Sequence, residues 1–256
     1  MSETQVKINI NQNLLQNDQL GWETYQPLLE IDGLEKHLPN GDPIIKDFSF
    51  SMNNGEILVI TGKSGIGKTT LLRCISQLAS NENGVMALNL NGQKITPESH
   101  GIPYWRTEVM YVPQRPPQLE GTPMDLYRTV SKLKFQKDRR DIDPISLSEK
   151  WSVDAALWER NWSSLSGGEQ QRIALSIAVS RNPTILLLDE PTSMLDPVST
   201  VLVENSLLER KNIIWITHDH LQGSRVSSRT LELTGLGNYN ILKNTSTSSS
   251  TSLSLI

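Results

Sequence analysis

"TGKSGIGKTT", Thr61 to Thr70, follows directly on the apolar run Ile57-Leu58-Val59-Ile60. Its spacing fits G-x-x-x-x-G-K-[ST], with Gly62, Gly67, Lys68 and Thr69 in the fixed positions. Glycines let the backbone take conformations that a Cβ forbids, so successive N–H groups from Gly62 through Lys63, Ser64, Gly65, Ile66 and Gly67 can turn inward around an anion. Lys68 adds a point charge for the outer phosphates of a nucleotide, and Thr69 offers a hydroxyl to Mg²⁺. The apolar stretch that begins Thr70-Leu71-Leu72 reads as a helix whose positive N-terminal end faces the same phosphates. The competing reading is an ordinary Gly/Ser turn between strand and helix; the coincidence of the full pattern with a strand before it and a helix after it argues for the nucleotide.

The rest of the chain bounds the class. A length of 256 residues suits one α/β domain with a small subdomain, and is ample for a core. With 24 basic and 28 acidic residues the formal charge is −4, so no global basic field exists to hold nucleic acid, and none is expected as a partner. The single cysteine, Cys74, falls on the predicted helix after the glycine-rich loop; it cannot form an internal disulfide and reads as a small core residue in a reducing compartment. The longest apolar candidate, Ile173 to Leu188, is broken by Arg181, Asn182 and Pro183, short of the roughly 18–20 uninterrupted residues that a bilayer requires. The N-terminus, Met1-Ser2-Glu3-Thr4-Gln5, has neither the basic start nor the apolar centre of a secretory signal. A soluble chain is expected.

Residues 1–26 are polar and rich in Asn and Gln, and read as an extension; the domain proper is expected over 27–235. From 236 to 256 the composition turns to Ser and Thr and predicts a disordered tail. Between them lie strand-like runs at Leu28–Ile31, Ile44–Ser51, Ile57–Thr61, Val109–Val112, Ile185–Leu188, Ile213–Thr217 and Thr230–Leu233, several followed by helical patterns. That alternation predicts an α/β fold with a mostly parallel sheet covered on both faces. Residues about 117–165 break the rhythm with Pro116, Pro117, Pro123 and Pro144 and helix-like stretches at Pro123–Leu133 and Val153–Glu159, which predicts a small helical subdomain.

Two further stretches carry chemistry. "ILLLDEP", Ile185 to Pro191, is an apolar strand ending in two carboxylates: Asp189 is placed to help hold Mg²⁺, and Glu190 to polarise an attacking water as general base. "LSGGEQQR", Leu165 to Arg172, opens a predicted helix Glu169–Ser180 with Ser166, Gly167 and Gly168. The glycines allow close approach to an anion at the helix N-terminus. The plainer reading is a capping box, Ser166 with Glu169 three residues on; the two are compatible, since a capped helix start is what an anion site requires.

This second stretch resembles the signature motif of the ATP-binding-cassette ATPases. The resemblance runs over roughly residues 28–233 and implies a P-loop NTPase fold of that type, with an antiparallel β part at the N-terminal side. It also implies an active unit of two copies packed head to tail, in which Ser166, Gly167, Gly168 and Glu169 of one copy cover the γ-phosphate held by the other. Gln114 in "YVPQRPPQLEG" matches the family's glutamine that reaches Mg²⁺ and the attacking water. His218 in "WITHD" matches its switch histidine on the γ-phosphate, and Asp196 in "SMLD" its loop against the opposite copy, with Met194 where alanine is usual. One mark departs: the adenine-stacking aromatic is replaced by His37 in "LLEIDGLEKHL", with Trp22 and Tyr25 lying too early in the chain.

A single compact cassette implies the ATPase subunit of a membrane transporter, bound at the cytosolic face to a separate polytopic permease. The alternative is a soluble ATPase of cluster assembly, repair or translation, whose family members carry coiled coils or second cassettes. "WRTEVMYVPQRPPQLEGTPMDLYRTV" resembles small two-chain metal-ion and related exporters, and "EPTSMLDPVST" resembles the phosphate-import and plant aluminium-tolerance ATPases about as well. The basic cluster Lys132, Lys134, Lys137, Arg139 and Arg140 reads as a solvated face of the helical subdomain.

Overall fold

The computed structural model describes residues 26–116, 119–137 and 142–242. Trp22 and Tyr25 of the N-terminal extension and Arg139 and Arg140 of the basic cluster lie outside them. Ten strands are described: β1 Leu29–His37, β2 Pro43–Met52, β3 Ile57–Gly62, β4 Asn83–Leu90, β5 Gln93–Ile95, β6 Val109–Val112, β7 Ile185–Asp189, β8 Ile213–Ile216, β9 Arg229–Gly235 and β10 Asn238–Leu242. The α-helices are α1 Lys68–Ile75, α2 Pro97–His100, α3 Ile102–Glu108, α4 Pro123–Ser131, α5 Pro144–Lys150, α6 Gly167–Ser180, α7 Pro197–Arg210 and α8 His220–Val226.

The strands form a four-stranded antiparallel sheet, β2-β1-β4-β5, and a six-stranded sheet, β10-β9-β3-β8-β7-β6. The second is parallel except where β10 runs back along β9. Its central strands are continuously apolar because both faces are covered, and alternate residues feed different cores. Leu58, Ile60, Ile185, Leu187, Ile214 and Ile216 pack with α1 and the antiparallel sheet. Ile57, Val59, Leu186, Leu188, Ile213 and Trp215 pack instead against α6 and α7 through Leu175, Val179, Val203 and Leu207. Cys74 is fully buried in the first of these cores, and burial pushes its thiol up to about 11, as a core role requires.

In β2, Ile45, Phe48, Phe50 and Met52 are buried, an alternation broken by one extra residue. Asp47 absorbs it with φ +52°, a bulge that puts Phe48 back on the inner face. Between about 117 and 165, where a small helical subdomain is expected, the described residues form α4, α5 and two 3₁₀ turns, Ala155–Glu159 and Trp162–Ser164. Val153, Trp158, Trp162 and Leu165 of this stretch share a core with Ile173 and Ile177 of α6. Of the tail expected from 236, Asn238–Leu242 is paired to β9, because Leu236 and Gly237, both at positive φ, make the turn that lets the chain fold back; residues 243–256 lie outside the described residues. Among the described residues no helix is long and apolar enough to cross a membrane.

Candidate active site

The phosphate loop joins β3 to α1. Gly62, Gly65 and Gly67 have φ of +138°, +77° and +108°, and a Cβ on Gly62 would lie 2.7 Å from the backbone oxygen of Leu233 in the neighbouring strand. Glycine is therefore required at 62 by close backbone packing as well as by conformation. Lys68, 6% exposed, donates to the carbonyls of Gly62 and Lys63, each at 2.9 Å. Burial holds its pKa below the ordinary lysine value, opposed by the nearby carboxylates of Glu190 and Asp189. Such a half-compensated ammonium suits an incoming polyphosphate.

The two carboxylates arrive from β7. Successive side chains of a strand point to opposite faces, so Asp189 and Glu190 would diverge if the strand simply continued. Glu190 instead has φ +47°, with its N–H donating to the Ile216 carbonyl at 3.0 Å. This turn lets both carboxylates line one cleft of about 230 Å³ with Ser64, Gly65, Gly67, Lys68, Thr69, Thr70, Gln114, His218, Ile44 and Ile216. A non-glycine residue in this region carries strain of order 1 kcal/mol or more, stored here at the functional position.

Within the cleft Asp189 Oδ2 accepts from Thr69 Oγ1 at 2.8 Å and from the Tyr111 hydroxyl at 3.0 Å. Glu190 is gripped at both oxygens: Gln114 Nε2 donates to Oε2 at 2.8 Å, and His218 Nε2 stands 3.0 Å from Oε1. Thr69, Gln114, the Asp189-Glu190 pair and His218, far apart in sequence, are thus brought together as the motifs anticipated. Tyr111 was not anticipated. Burial and the Asp189 charge push its phenol up to about 12, so it stays a donor to that carboxylate. Its place three residues before Gln114 on a strand is the signal that marked it.

His37 is not in this lining. Its Nδ1 lies 3.7 Å from Glu82 Oε2 and its N–H donates to the same oxygen at 3.0 Å. The turn Leu38–Asp42 follows, closed by Leu38 N–H to Asp42 O, and returns the chain so that Ile44 rather than His37 reaches the phosphate loop, 3.1 Å from where a Gly67 Cβ would sit. Glu82 thus holds the histidine at the end of β1, outside the phosphate cleft.

Ser166, Gly167, Gly168 and Glu169 also stand apart from the cleft, at the start of α6. Glu169 Oε2 accepts from the Ser166 N–H at 2.7 Å and from its hydroxyl at 2.8 Å, and the bonds to Ser166 hold the Glu169 carboxyl below its ordinary range. The Met194 methyl covers Gly167, 2.4 Å from where a Cβ would be. Asp196 caps α7, accepting from the N–H groups of Val198 and Ser199, both at 3.0 Å. Arg172 Nη1 bridges the two elements, 3.0 Å from Ser199 Oγ and 3.9 Å from Asp196. One chain therefore carries the cleft at the glycine-rich loop and, separately, a capped, glycine-led helix start joined to the 193–196 loop. Two larger clefts, of about 480 and 560 Å³, are lined chiefly by Asn, Thr and Leu side chains around Asn91 and Asn182 and contain none of these residues.

A phosphate loop, an Asp-Glu strand end, a gripping glutamine and histidine, and a separate glycine-led helix start define an ATPase of the cassette class. The sequence profile of the ABC transporter family matches residues 45–193. The phosphate import ATP-binding protein PstB of Pseudoalteromonas translucida is 32% identical over 243 residues, covering 88% of this chain and 85% of the relative. That of Bacillus cereus is 32% identical over 207 residues, 74% of each. The dimeric post-hydrolysis structure of the ATP-binding cassette MJ0796 bound to ADP and Pi superposes with a TM-score of 0.71 at 21% identity, over 84% of this chain and 98% of that one. CbiO1 of Clostridium perfringens, part of a transporter complex, gives 0.68 at 21%, over 85% and 88%. The chain belongs to the ABC transporter family and is an ATP-binding, ATP-hydrolysing subunit of that class.

Proposed function

We propose that two copies of this chain, closing head to tail on ATP, power a membrane transporter whose spanning part is a separate polytopic permease at whose cytosolic face they sit. The observation that carries the chemistry is the grip on Glu190 by Gln114 and His218 at the mouth of the phosphate loop. The loop's N–H groups cradle the triphosphate, and Lys68 turns from the Gly62 and Lys63 carbonyls to the outer phosphates. Thr69 and Asp189, already in contact, with Gln114, form a set of hard oxygen donors that fits Mg²⁺ completed by phosphate oxygens and water. Mg²⁺, when bound, neutralises charge on the transferring phosphoryl group. Glu190 takes a proton from water as the water oxygen bonds to the γ-phosphorus and the bond to the bridging oxygen breaks, the electrons leaving with ADP. His218 is turned to the γ-phosphate. The outward-facing Ser166–Glu169 start of α6 and the Asp196 loop are offered to the other copy's nucleotide, since they do not line the chain's own cleft.

The relatives named for phosphate import support an import role, whereas metal-ion export, the other narrow resemblance in the sequence, has no support among them. The same relatives favour transport over a soluble maintenance role. Glu190→Gln should bind ATP as the wild type does, lose multiple turnover and accumulate as an ATP-dependent dimer on gel filtration. Turnover at the wild-type rate would remove Glu190 as the base. Purification in mild detergent should bring a polytopic chain with it.

A further inference from the structure

Behind the Glu190–His218 pair, on the side away from the phosphate loop, lies a second cleft of about 280 Å³ that shares those two residues and is bordered by Thr192, Thr217 and Gln222. Gln222, on α8, is 5% exposed and uses both ends of its amide. Its Oε1 accepts from Thr217 Oγ1 at 2.6 Å; its Nε2 donates to Thr192 Oγ1 at 2.7 Å and to Glu204 Oε1 at 2.8 Å. Thr217 immediately precedes His218, and its hydroxyl also accepts from the Asp219 N–H at 3.1 Å. Thr192 stands two residues after Glu190. A single buried amide therefore ties the backbone that carries the histidine to the backbone that carries the carboxylate.

The amide can serve both only in one orientation, and its surroundings fix which. Glu204 on α7, 2% exposed, can only accept when ionised, so it demands the Nε2 end. Glu204 is itself held by Arg225 of α8, whose Nε and Nη2 donate to its two oxygens at 2.8 Å each, a planar bidentate pair that raises the arginine pKa. The chain of control runs from Arg225 through Glu204 and Gln222 to Thr217 and Thr192. A buried network with every member satisfied is rigid, and a side chain misplaced by about 1 Å can cost on the order of 100-fold in rate.

We infer that Gln222, oriented by the Glu204–Arg225 pair, is a positioning residue for hydrolysis: it sets His218 against Glu190 without touching nucleotide. This rests on the roles given above to Glu190 and His218. Gln222→Ala should lower kcat for ATP by about 10- to 100-fold while KM and the Kd for ATP stay within about twofold, because the phosphate loop lies outside the network. In a His218→Ala background the same change should cost almost nothing further, since the group it positions is gone. Gln222→Glu sets two buried carboxylates against each other at nearly unchanged volume, so it should lower kcat at least as far as Gln222→Ala, again at constant KM. If Gln222→Ala does not fold, Thr217→Val, which deletes only the hydroxyl, should show the same fall in kcat at constant KM. An unchanged kcat in Gln222→Ala, or a full additional loss in the His218→Ala background, would overturn the inference. A His218→Ala protein that hydrolyses ATP normally would instead overturn the role of His218 itself, so the two failures are distinguishable.

Discussion

At the scale of single residues, the site depends on backbone conformations that side chains then exploit. Glu190 at φ +47° joins two carboxylates that an extended strand would have separated, and Gly62 tolerates the Leu233 carbonyl at a distance no Cβ could accept. His37, whose spacing suits the adenine position, is held by its neighbours at the end of β1. Glu82 engages both its ring and its N–H, and Lys36 Nζ binds the same carboxylate at 2.7 Å. His37→Tyr should accordingly leave the Kd for ATP under non-hydrolysing conditions within about twofold of wild type. Tightening by about 0.5–1.5 kcal/mol, the worth of an aromatic contact, would return position 37 to the adenine. Spacing alone points to His37, whereas the approach of Ile44 to the loop follows from the turn Leu38–Asp42 and the return of the chain, which no local pattern announces.

At the scale of elements, what the sequence disclosed follows how self-sufficient each signal is. Strands β3, β7 and β8 carry the unbroken apolar runs Ile57–Ile60, Ile185–Leu188 and Ile213–Ile216, because they are buried on both faces, and the phosphate loop and the Asp-Glu end are local patterns; both classes were legible. Strands β4 and β10 were not. β4 buries only Met86, Ala87 and Leu88, and β10 is Asn-Tyr-Asn-Ile-Leu with no fully buried residue, so each is a strand only by virtue of its partner. The start of α6 was legible in both of its readings, cap and anion site, and the structure retains the cap. Ser166→Asp separates them. Aspartate caps a helix as well as serine does but sets its carboxylate beside Glu169, which in the wild type accepts from the serine hydroxyl, so thermal stability should fall by no more than about 1 kcal/mol, and in the proposed head-to-tail dimer a carboxylate would face the γ-phosphate of the other copy. ATPase activity should fall by at least about 10-fold and ATP-driven dimers should disappear. Wild-type turnover in Ser166→Asp would separate α6 from the nucleotide.

At the scale of the molecule, two sheets of different direction must hold one another at a fixed angle if Ile44, on the antiparallel sheet, is to meet the phosphate loop on the parallel one. Strand β10 is a fastening between them. It pairs with β9 of the parallel sheet, yet its Tyr239 ring packs 5.3 Å from Phe48 and 6.1 Å from Phe50 of β2, and its hydroxyl donates to the Ser49 carbonyl at 2.7 Å. Just before it, Leu236 O accepts from the Lys46 N–H at 2.9 Å, and Arg229 of β9 places its guanidinium 4.5 Å over the Phe50 ring. Tyr239→Ala removes two aromatic contacts and one hydrogen bond from a half-buried site, a loss of about 2–3 kcal/mol. For a domain of this size that is a fall in Tm of roughly 4–12 °C. Tyr239→Phe keeps the rings and should lose only about 1 kcal/mol. A chain ending at Leu242 retains all of these contacts and one ending at Gly235 retains none of the Tyr239 set. The first should therefore melt above the second, and the second at least as early as Tyr239→Ala. Equal melting of the two truncations in differential scanning calorimetry would show that the sheets are held without β10.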